Sequence, residues 1–253
     1  LTPATALVAV ERAHSALALG KAENSVRQRV RAPGFSLHSL TAASKELELA
    51  AAKVYSATRP GMNSTLLLYS TKDGSLIGNF EANELGRRRT AAAAILGFKQ
   101  LLPNPAPEIA ILGTGFQAWG IVEALRDTLS PQITLRVFGR DAARREAFCA
   151  QARTLANVQV RSCASAHDAA ADADSLFIAT TSSAPVIADT ALNSIRFICA
   201  LGANALSRRE LDPKSVTRAC QVVVDSRDVA RLEGGTLLSP IENGRLSWQE
   251  IAE

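Results

Sequence analysis

The rhythm of apolar and polar positions changes once along the chain, across the proline cluster Pro103–Pro107. Before it, an alanine- and leucine-rich run from Pro3 to Leu19 has no internal breaker and stops at Gly20, a residue suited to the position just past a helix. Alternation begins at Val26, Gln28 and Val30 and repeats from Phe35 to Leu40. Leu47–Ser56 is a third extended candidate, although its alanines also permit a helix. Thr65–Ser70 and Ser75–Phe80 flank the turn Thr71–Gly74 and predict a hairpin. Ala82–Leu102 then predicts a long helix, ended by the prolines. Residues 1–106 therefore form an N-terminal α+β domain built on a mainly antiparallel sheet.

After the prolines, short apolar runs alternate with helical patterns, which argues for a doubly wound parallel sheet over residues 107–253. Strands are expected at Ile109–Leu112, Ile133–Phe138, Val158–Arg161, Ser175–Thr181, Arg196–Leu201 and Gln221–Asp225. Helices are expected at Phe116–Leu129, Ala142–Leu155, Ala166–Ala171 and Pro213–Ala219. Six strands fit two mononucleotide-binding halves, with ligand at the carboxyl ends where strand order reverses. From Arg231 to Glu253 the only strong pattern is the turn at Glu242–Gly244.

The chemistry concentrates where the first of these strands ends. Ile109–Leu112 runs into Gly113, and the G-x-G-x-x-A spacing falls on Gly113, Gly115 and Ala118 at the head of a helix. Gly113 permits the tight turn, Gly115 lets backbone approach a pyrophosphate, and Ala118 lets the helix lie close to the strand. Helix-start N–H groups and the helix dipole then favour phosphate charge. An ordinary strand–helix turn is the bland alternative, and the further strand–helix units downstream weigh against it. At the end of the second strand Gly139 stands where an NAD site usually offers a carboxylate, and Arg140 follows, with Arg144 and Arg145 one turn on. A guanidinium there suits a 2′-phosphate, which puts NADP ahead of NAD; Asp141 could instead serve as a helix cap.

Composition narrows the field. The 253 residues are 47% hydrophobic and 21% charged, enough for one large domain or two smaller ones. The formal charge of +4 is scattered, only Arg87–Arg89 form a basic run, and aromatic stacking platforms are few, so nucleic acid is a poor partner. Cys149, Cys163, Cys199 and Cys220 lack C-x-x-C spacing and read as reduced thiols of a cytoplasmic protein. His14, His38 and His167 are dispersed, so no metal site is expected. No run reaches membrane-span length, and the first residues lack a signal-peptide pattern, so no membrane partner is expected.

Three stretches together resemble the ornithine cyclodeaminase/mu-crystallin family. They are Asp73-Gly74 with Gly86–Ala93; Gly113–Gln117; and Ala179–Val186 followed by Gly202–Asn204 and Arg209–Asp212. The resemblance implies a substrate-binding and dimerisation domain joined to a Rossmann domain, a homodimer, and a bound nicotinamide cofactor, NADP or NAD. It places cofactor contacts at Thr90, Gly113, Thr114, Gly115, Phe116, Gln117, Ala118, Thr180, Thr181 and Gly202, beside the Arg140 argued above. It also implies that the chain continues past Glu253 to complete the first domain.

Carried over residue by residue, Lys53 resembles the family's active-site lysine and Arg89 its substrate-carboxylate arginine. Arg31 matches a second carboxylate arginine, with Arg27 and Arg29 competing for that place. An amino or imino acid needs a fixed cationic clamp, which arginine supplies bidentately, and a nearby ammonium can supply a proton as charge develops. The bland alternatives are a solvated helix turn for Arg87–Arg89 and a snorkelling Lys53. The matching position for the cyclodeaminase aspartate is Asn204, which can hydrogen-bond substrate but cannot ferry a proton. The implied function is NAD(P)-dependent hydride transfer at the carbon bearing nitrogen in a small imino or amino acid. The alternatives are ornithine cyclodeamination and non-catalytic binding of a nucleotide or small ligand.

Overall fold

The computed structural model describes residues 1–129 and 132–253, which divide into two compact units, Leu1–Ala93 and Ala94–Glu253. The first opens with α1 (Pro3–Ala18). The Thr2 hydroxyl accepts from Thr5 N–H at 3.2 Å while Thr5 Oγ1 accepts from Thr2 N–H at 2.9 Å, a reciprocal cap with Pro3 filling the first helical position.

Six strands follow: β1 (Ala22–Asn24), β2 (Gln28–Ala32), β3 (Phe35–Ser44), β4 (Leu49–Thr58), β5 (Met62–Ser70) and β6 (Leu76–Glu81). The sheet runs β1-β3-β4-β5-β6, every pair antiparallel, and β2 shares the β1 edge of β3 by pairing with its first half. The alanine-rich third candidate is a strand because both of its edges are taken, by β3 and by β5, and that pairing overrides alanine's helical bias. The expected hairpin turn has Gly74 at φ 73°, and Asp73 Oδ1 accepts from Ser75 N–H at 3.1 Å. The long helix α2 (Asn83–Leu101) begins in the first unit and runs through the division into the second.

The second unit alternates β7 (Glu108–Leu112), α3 (Phe116–Thr128), β8 (Ile133–Phe138), α4 (Ala142–Ala152), β9 (Val158–Ser162), α5 (Ala166–Ala170), β10 (Ser175–Ile178) and β11 (Phe197–Ala200). All sheet neighbours are parallel and the order is β11-β10-β7-β8-β9, so strand order reverses at β7. Ile109, Ala110, Ile111 and Leu112 are buried, as the central strand of a doubly covered sheet requires. Phe98 from the end of α2 packs on Phe177 and Phe197 at 5.4 and 5.1 Å between ring centres. At the amino ends of β10 and β11, Asp174 Oδ2 accepts from Arg196 Nη2 and from Ala106 N–H, both at 2.9 Å. Arg196 also donates to Asn104 O at 2.9 Å, so one ion pair holds the proline-rich connection against the sheet.

Three expectations need correction. The main sheet has five strands: the expected sixth, Gln221–Asp225, shortens to β12 (Val222–Val223) and pairs in parallel with β13 (Ile251–Ala252) in a separate ribbon. Ile251 is fully buried there, and its carbonyl accepts from Arg227 Nε at 2.8 Å. Three helices follow β11, namely α6 (Pro213–Thr217), α7 (Arg227–Glu233) and α8 (Gly235–Glu242), and the stretch without a pattern contains the last of them and the end of α7. Finally, the strand expected to reach Thr181 ends at Ile178, because Thr180 N–H bonds the Glu210 carboxylate instead of a strand.

Candidate functional site

In the first unit Lys53 lies mid-strand on β4, paired with Leu40 on β3 and Leu66 on β5. Tyr55 shares its face by the two-residue period, and the Tyr55–His38 register brings His38 alongside. A Cβ built on Gly86, in the first turn of α2, would stand 2.8 Å from Lys53 Nζ, so the ammonium rests against bare helix backbone. Lys53 also borders a shallow cleft of about 200 Å³ that Asn24, Ser25 and Leu66 help to line.

This corner is rich in positive charge. Burial pulls the Lys53 pKa down to about 8, the Arg89 and Arg27 cations push the same way, and Glu81 opposes them. His38 is pulled down to about 4 by burial and then by Arg29, Arg27 and Arg31. Its Nδ1 accepts from Arg29 Nε at 3.1 Å, so the neutral ring carries its proton on Nε2, which faces the Ser36 hydroxyl at 2.9 Å. His38 stacks on Tyr55 at 4.4 Å and 3° between planes. Tyr55 in turn has the Arg27 guanidinium and Lys53 Nζ 5.9 and 5.8 Å from its ring centre.

Of the three arginines that compete for the second carboxylate position, Arg27 is the one that shares the Tyr55 ring with Lys53 and whose charge lowers the Lys53 pKa. Arg29 is engaged by His38, and Arg31 is exposed near the far end of β2, opposite Ser36. Within the basic run, Arg87 is buried and bonds Glu84 through Nε at 3.1 Å and Nη2 at 2.6 Å, and Arg88 Nε lies 4.0 Å from the same carboxylate. Arg89 is exposed on the helix, and the Thr90 hydroxyl donates to Gly86 O at 2.8 Å.

In the second unit the glycine turn divides its labour. Gly113 has φ 119°, and a Cβ there would meet Ala179 O at 2.3 Å, so this residue serves both turn and strand packing. Nothing lies within 4 Å of a Cβ on Gly115, which caps α3 without any side-chain hydrogen bond. With no side-chain cap on α3, the backbone at its start is what would meet a bound phosphate. Ala118 is fully buried under the helix, Phe116 is 47% exposed, and Gln117 Oε1 is buried with no hydrogen-bond partner. A Cβ on Gly139 would stand 2.9 Å from Thr114 Cγ2, so a side chain at this position would have to displace that of Thr114. Asp141 caps α4, accepting from Arg144 N–H at 3.0 Å, and Arg145 turns inward to Gly139 O at 2.9 Å. Arg140 stays exposed beside the turn.

Two loops leave the carboxyl ends of β10 and β11. Thr180 and Gly202 both bond the buried Glu210 carboxylate, whereas Thr181 and Asn204 are exposed. Sequence reasoning gave Glu210 no role; its only signal was its place in the Arg209–Asp212 stretch. Among the described residues no group of three His, Cys, Asp or Glu side chains is placed to hold a metal, and no helix is long and apolar enough to cross a membrane.

Residues 6–250 match the family model described as "Ornithine cyclodeaminase/mu-crystallin family". The chain is 30% identical to ketimine reductase mu-crystallin of Macropus fuliginosus over 72% of its own length and 56% of that protein's. It is 32% identical to the Delta(1)-pyrroline-2-carboxylate/Delta(1)-piperideine-2-carboxylate reductase of Azospirillum brasilense over 76% of its length and 59% of that protein's. It thus spans less than two thirds of these relatives. The Delta(1)-pyrroline-2-carboxylate reductase of Thermococcus litoralis, solved in complex with NADH and L-proline, superposes with a TM-score of 0.90 at 23% identity, covering 99% of this chain and 80% of that one. The chain belongs to the ornithine cyclodeaminase/mu-crystallin family.

Proposed function

We propose that the full-length protein reduces the carbon–nitrogen double bond of a small, carboxylate-bearing cyclic imino acid with NADPH or NADH. The observation that carries this reading is Lys53, set against the Gly86 backbone with the Arg27 guanidinium over the same Tyr55 ring, its pKa lowered to about 8 by burial and by the Arg89 and Arg27 cations. Relatives named for ketimine and pyrroline-carboxylate reduction support it, as does a similar fold that holds NADH and L-proline. The Gly113 turn and the start of α3, which carries no side-chain cap, fit a dinucleotide pyrophosphate.

The Gly113 turn and the start of α3 would hold a reduced nicotinamide dinucleotide, which when bound would supply the hydride that the reduction needs. Arg27 and Arg89 hold the carboxylate, and Lys53, protonated below about pH 8, hands a proton to nitrogen and keeps the imine electrophilic. Asn204 contributes hydrogen bonds but no proton transfer, which favours this single reduction over cyclodeamination, a cycle that must also expel ammonia. The test follows nicotinamide absorbance with five- and six-membered cyclic ketimine carboxylates, and proline and ammonia from ornithine with NAD. Ketimine turnover with neither proline nor ammonia released from ornithine is expected; robust conversion of ornithine to proline and ammonia would make the protein a cyclodeaminase, and intact cofactor binding with neither activity would leave the non-catalytic reading.

The Arg140 guanidinium beside a side-chain-free Gly139 favours NADPH over NADH by about ten- to a hundredfold in affinity, the value of a charge-assisted pair of roughly 1.5–3 kcal/mol. Arg140→Ala should erase the difference, measured by titration of both cofactors. The clamp is assigned similarly: Arg27→Ala raises KM for the imino acid about tenfold or more, whereas Arg31→Ala changes it less than about twofold. A larger effect at Arg31 would return the second clamp to that residue.

The protein also acts as a homodimer in this reading. Val30, Phe35 and Leu37 are 64%, 41% and 37% exposed, and the Val30–Leu37 and Ala32–Phe35 register places them on one face of the first sheet. An exposed apolar cluster of this kind marks an interface. Sedimentation of the full-length protein should give a dimer, and Leu37→Asp should give a folded monomer; an unmodified monomer would remove the dimer from the proposal.

A further inference from the structure

Glu210 is a fully buried carboxylate to which no ion pair reaches among the described residues. Its oxygens are instead saturated by donors from two loops. Oε1 accepts from Thr180 N–H at 2.9 Å and from the Thr180 hydroxyl at 2.7 Å, and Oε2 accepts from Gly202 N–H at 2.6 Å. A backbone hydrogen bond from Ala203 adds to them, so that these donors oppose the upward push of burial on its pKa. Taking a carboxylate out of water is costly, and the groups holding it here are the residues just past the carboxyl ends of β10 and β11.

The contact is close on every side. A Cβ on Gly202 would stand 2.1 Å from Thr180 O and 2.4 Å from Glu210 Oε1, so the two loops touch backbone to backbone across the carboxylate. The rest of the second loop is held separately: a Cβ on Gly235, at the start of α8, would meet Arg208 O at 2.3 Å and Leu206 O at 2.6 Å. Loss of Glu210 therefore frees the near end of the loop while α8 retains the far end.

In a doubly wound sheet the first half, here β7, α3 and β8, receives the pyrophosphate and adenosine, and the strands across the switch point face the nicotinamide half. We propose that Glu210 is a positioning residue that sets the spacing of the Thr180 and Gly202 loops, and so orders the nicotinamide half of the dinucleotide without touching it. This rests on the dinucleotide reading above.

The experiment compares two probes on the full-length protein, the whole reduced dinucleotide and ADP-ribose, which keeps the adenosine, pyrophosphate and second ribose and lacks only the nicotinamide. Glu210→Gln keeps the shape but turns an NH2 donor toward backbone N–H groups. It should weaken dinucleotide binding at least about tenfold while ADP-ribose affinity stays within about twofold, with kcat falling as well. Glu210→Asp keeps the charge and loses a methylene of reach; it should show the same split in smaller measure, and it decides the matter if the glutamine variant does not fold. Equal losses for both probes, or an aspartate variant indistinguishable from the unmodified protein, would overturn the positioning role. An unmodified protein that binds neither probe would instead remove the dinucleotide reading itself.

Discussion

Lys53→Met is expected to lower kcat for imine reduction by about 10²–10⁴-fold, the usual contribution of a positioned acid, while dinucleotide affinity changes less than about twofold. Methionine approximates the volume of the lysine stem, so packing against Leu40, Leu66 and Gly86 survives and only the ammonium is lost. The pH profile separates this from general damage. A lysine with a free-enzyme pKa of about 8 donates from its protonated form, so kcat/KM falls about tenfold per unit as pH rises above that value. In the variant the residual activity should lose this fall; a profile that still declined there would assign the titration to another group. The linked effect on folding has the opposite sense. The unfolded lysine holds its proton up to about 10.5, so the depressed native pKa costs stability fully below about pH 8, and that cost is relieved as pH rises toward 10.5.

Gly113→Ala and Gly115→Ala should fail in different ways. The Gly113 Cβ would combine a left-handed φ of 119° with a 2.3 Å approach to the Ala179 carbonyl, backbone that cannot swing aside. Strain and overpacking together cost roughly 2–6 kcal/mol, a fall in Tm of about 5–20 °C, with dinucleotide binding lost as the turn moves. Gly115 sits at φ −101° with no atom within 4 Å of its Cβ, so alanine there leaves Tm nearly unchanged. Its methyl group occupies space that the pyrophosphate needs, and affinity should fall about tenfold or more. Thermal unfolding and cofactor titration on both variants check this; a Gly115→Ala protein that bound dinucleotide normally would show that the phosphates do not approach this turn.

The features legible in the sequence were those with a local cause. The Thr71–Gly74 hairpin, the Ile109–Leu112 strand and the glycine turn each depend on residues adjacent in the chain. Lys53 and Arg89 are legible only through the family pattern; their charges act on each other across elements far apart in sequence. Which of Arg27, Arg29 and Arg31 stands over the Tyr55 ring is not legible either, because it depends on cross-strand packing, and Arg27 is the one that does. Glu210 was invisible as a clamp because its partner Thr180 lies 30 residues away. The helices α7 and α8 are not legible locally because Gly234, Gly235 and Pro240 are all poor helix formers, although both glycines answer to close packing, a Cβ on Gly234 meeting Ala230 O at 2.6 Å. The β12 strand was mistaken for a member of the main sheet because its apolar run does not say which neighbour it will pair with.

The Asp174–Arg196 pair, with the backbone it gathers from Asn104 and Ala106, secures β10 and β11 at their amino ends. The four residues of β10 then put about 13 Å between that pin and the loops at the opposite rim. Substitutions separated by more than about 7–10 Å generally act independently, so residues such as Thr181 and Asn204 can be exchanged without drawing on the contacts that keep the sheet together. A scaffold divided in this way is evolvable: descent can rewrite the chemistry at one rim while the other preserves the inheritance of the fold.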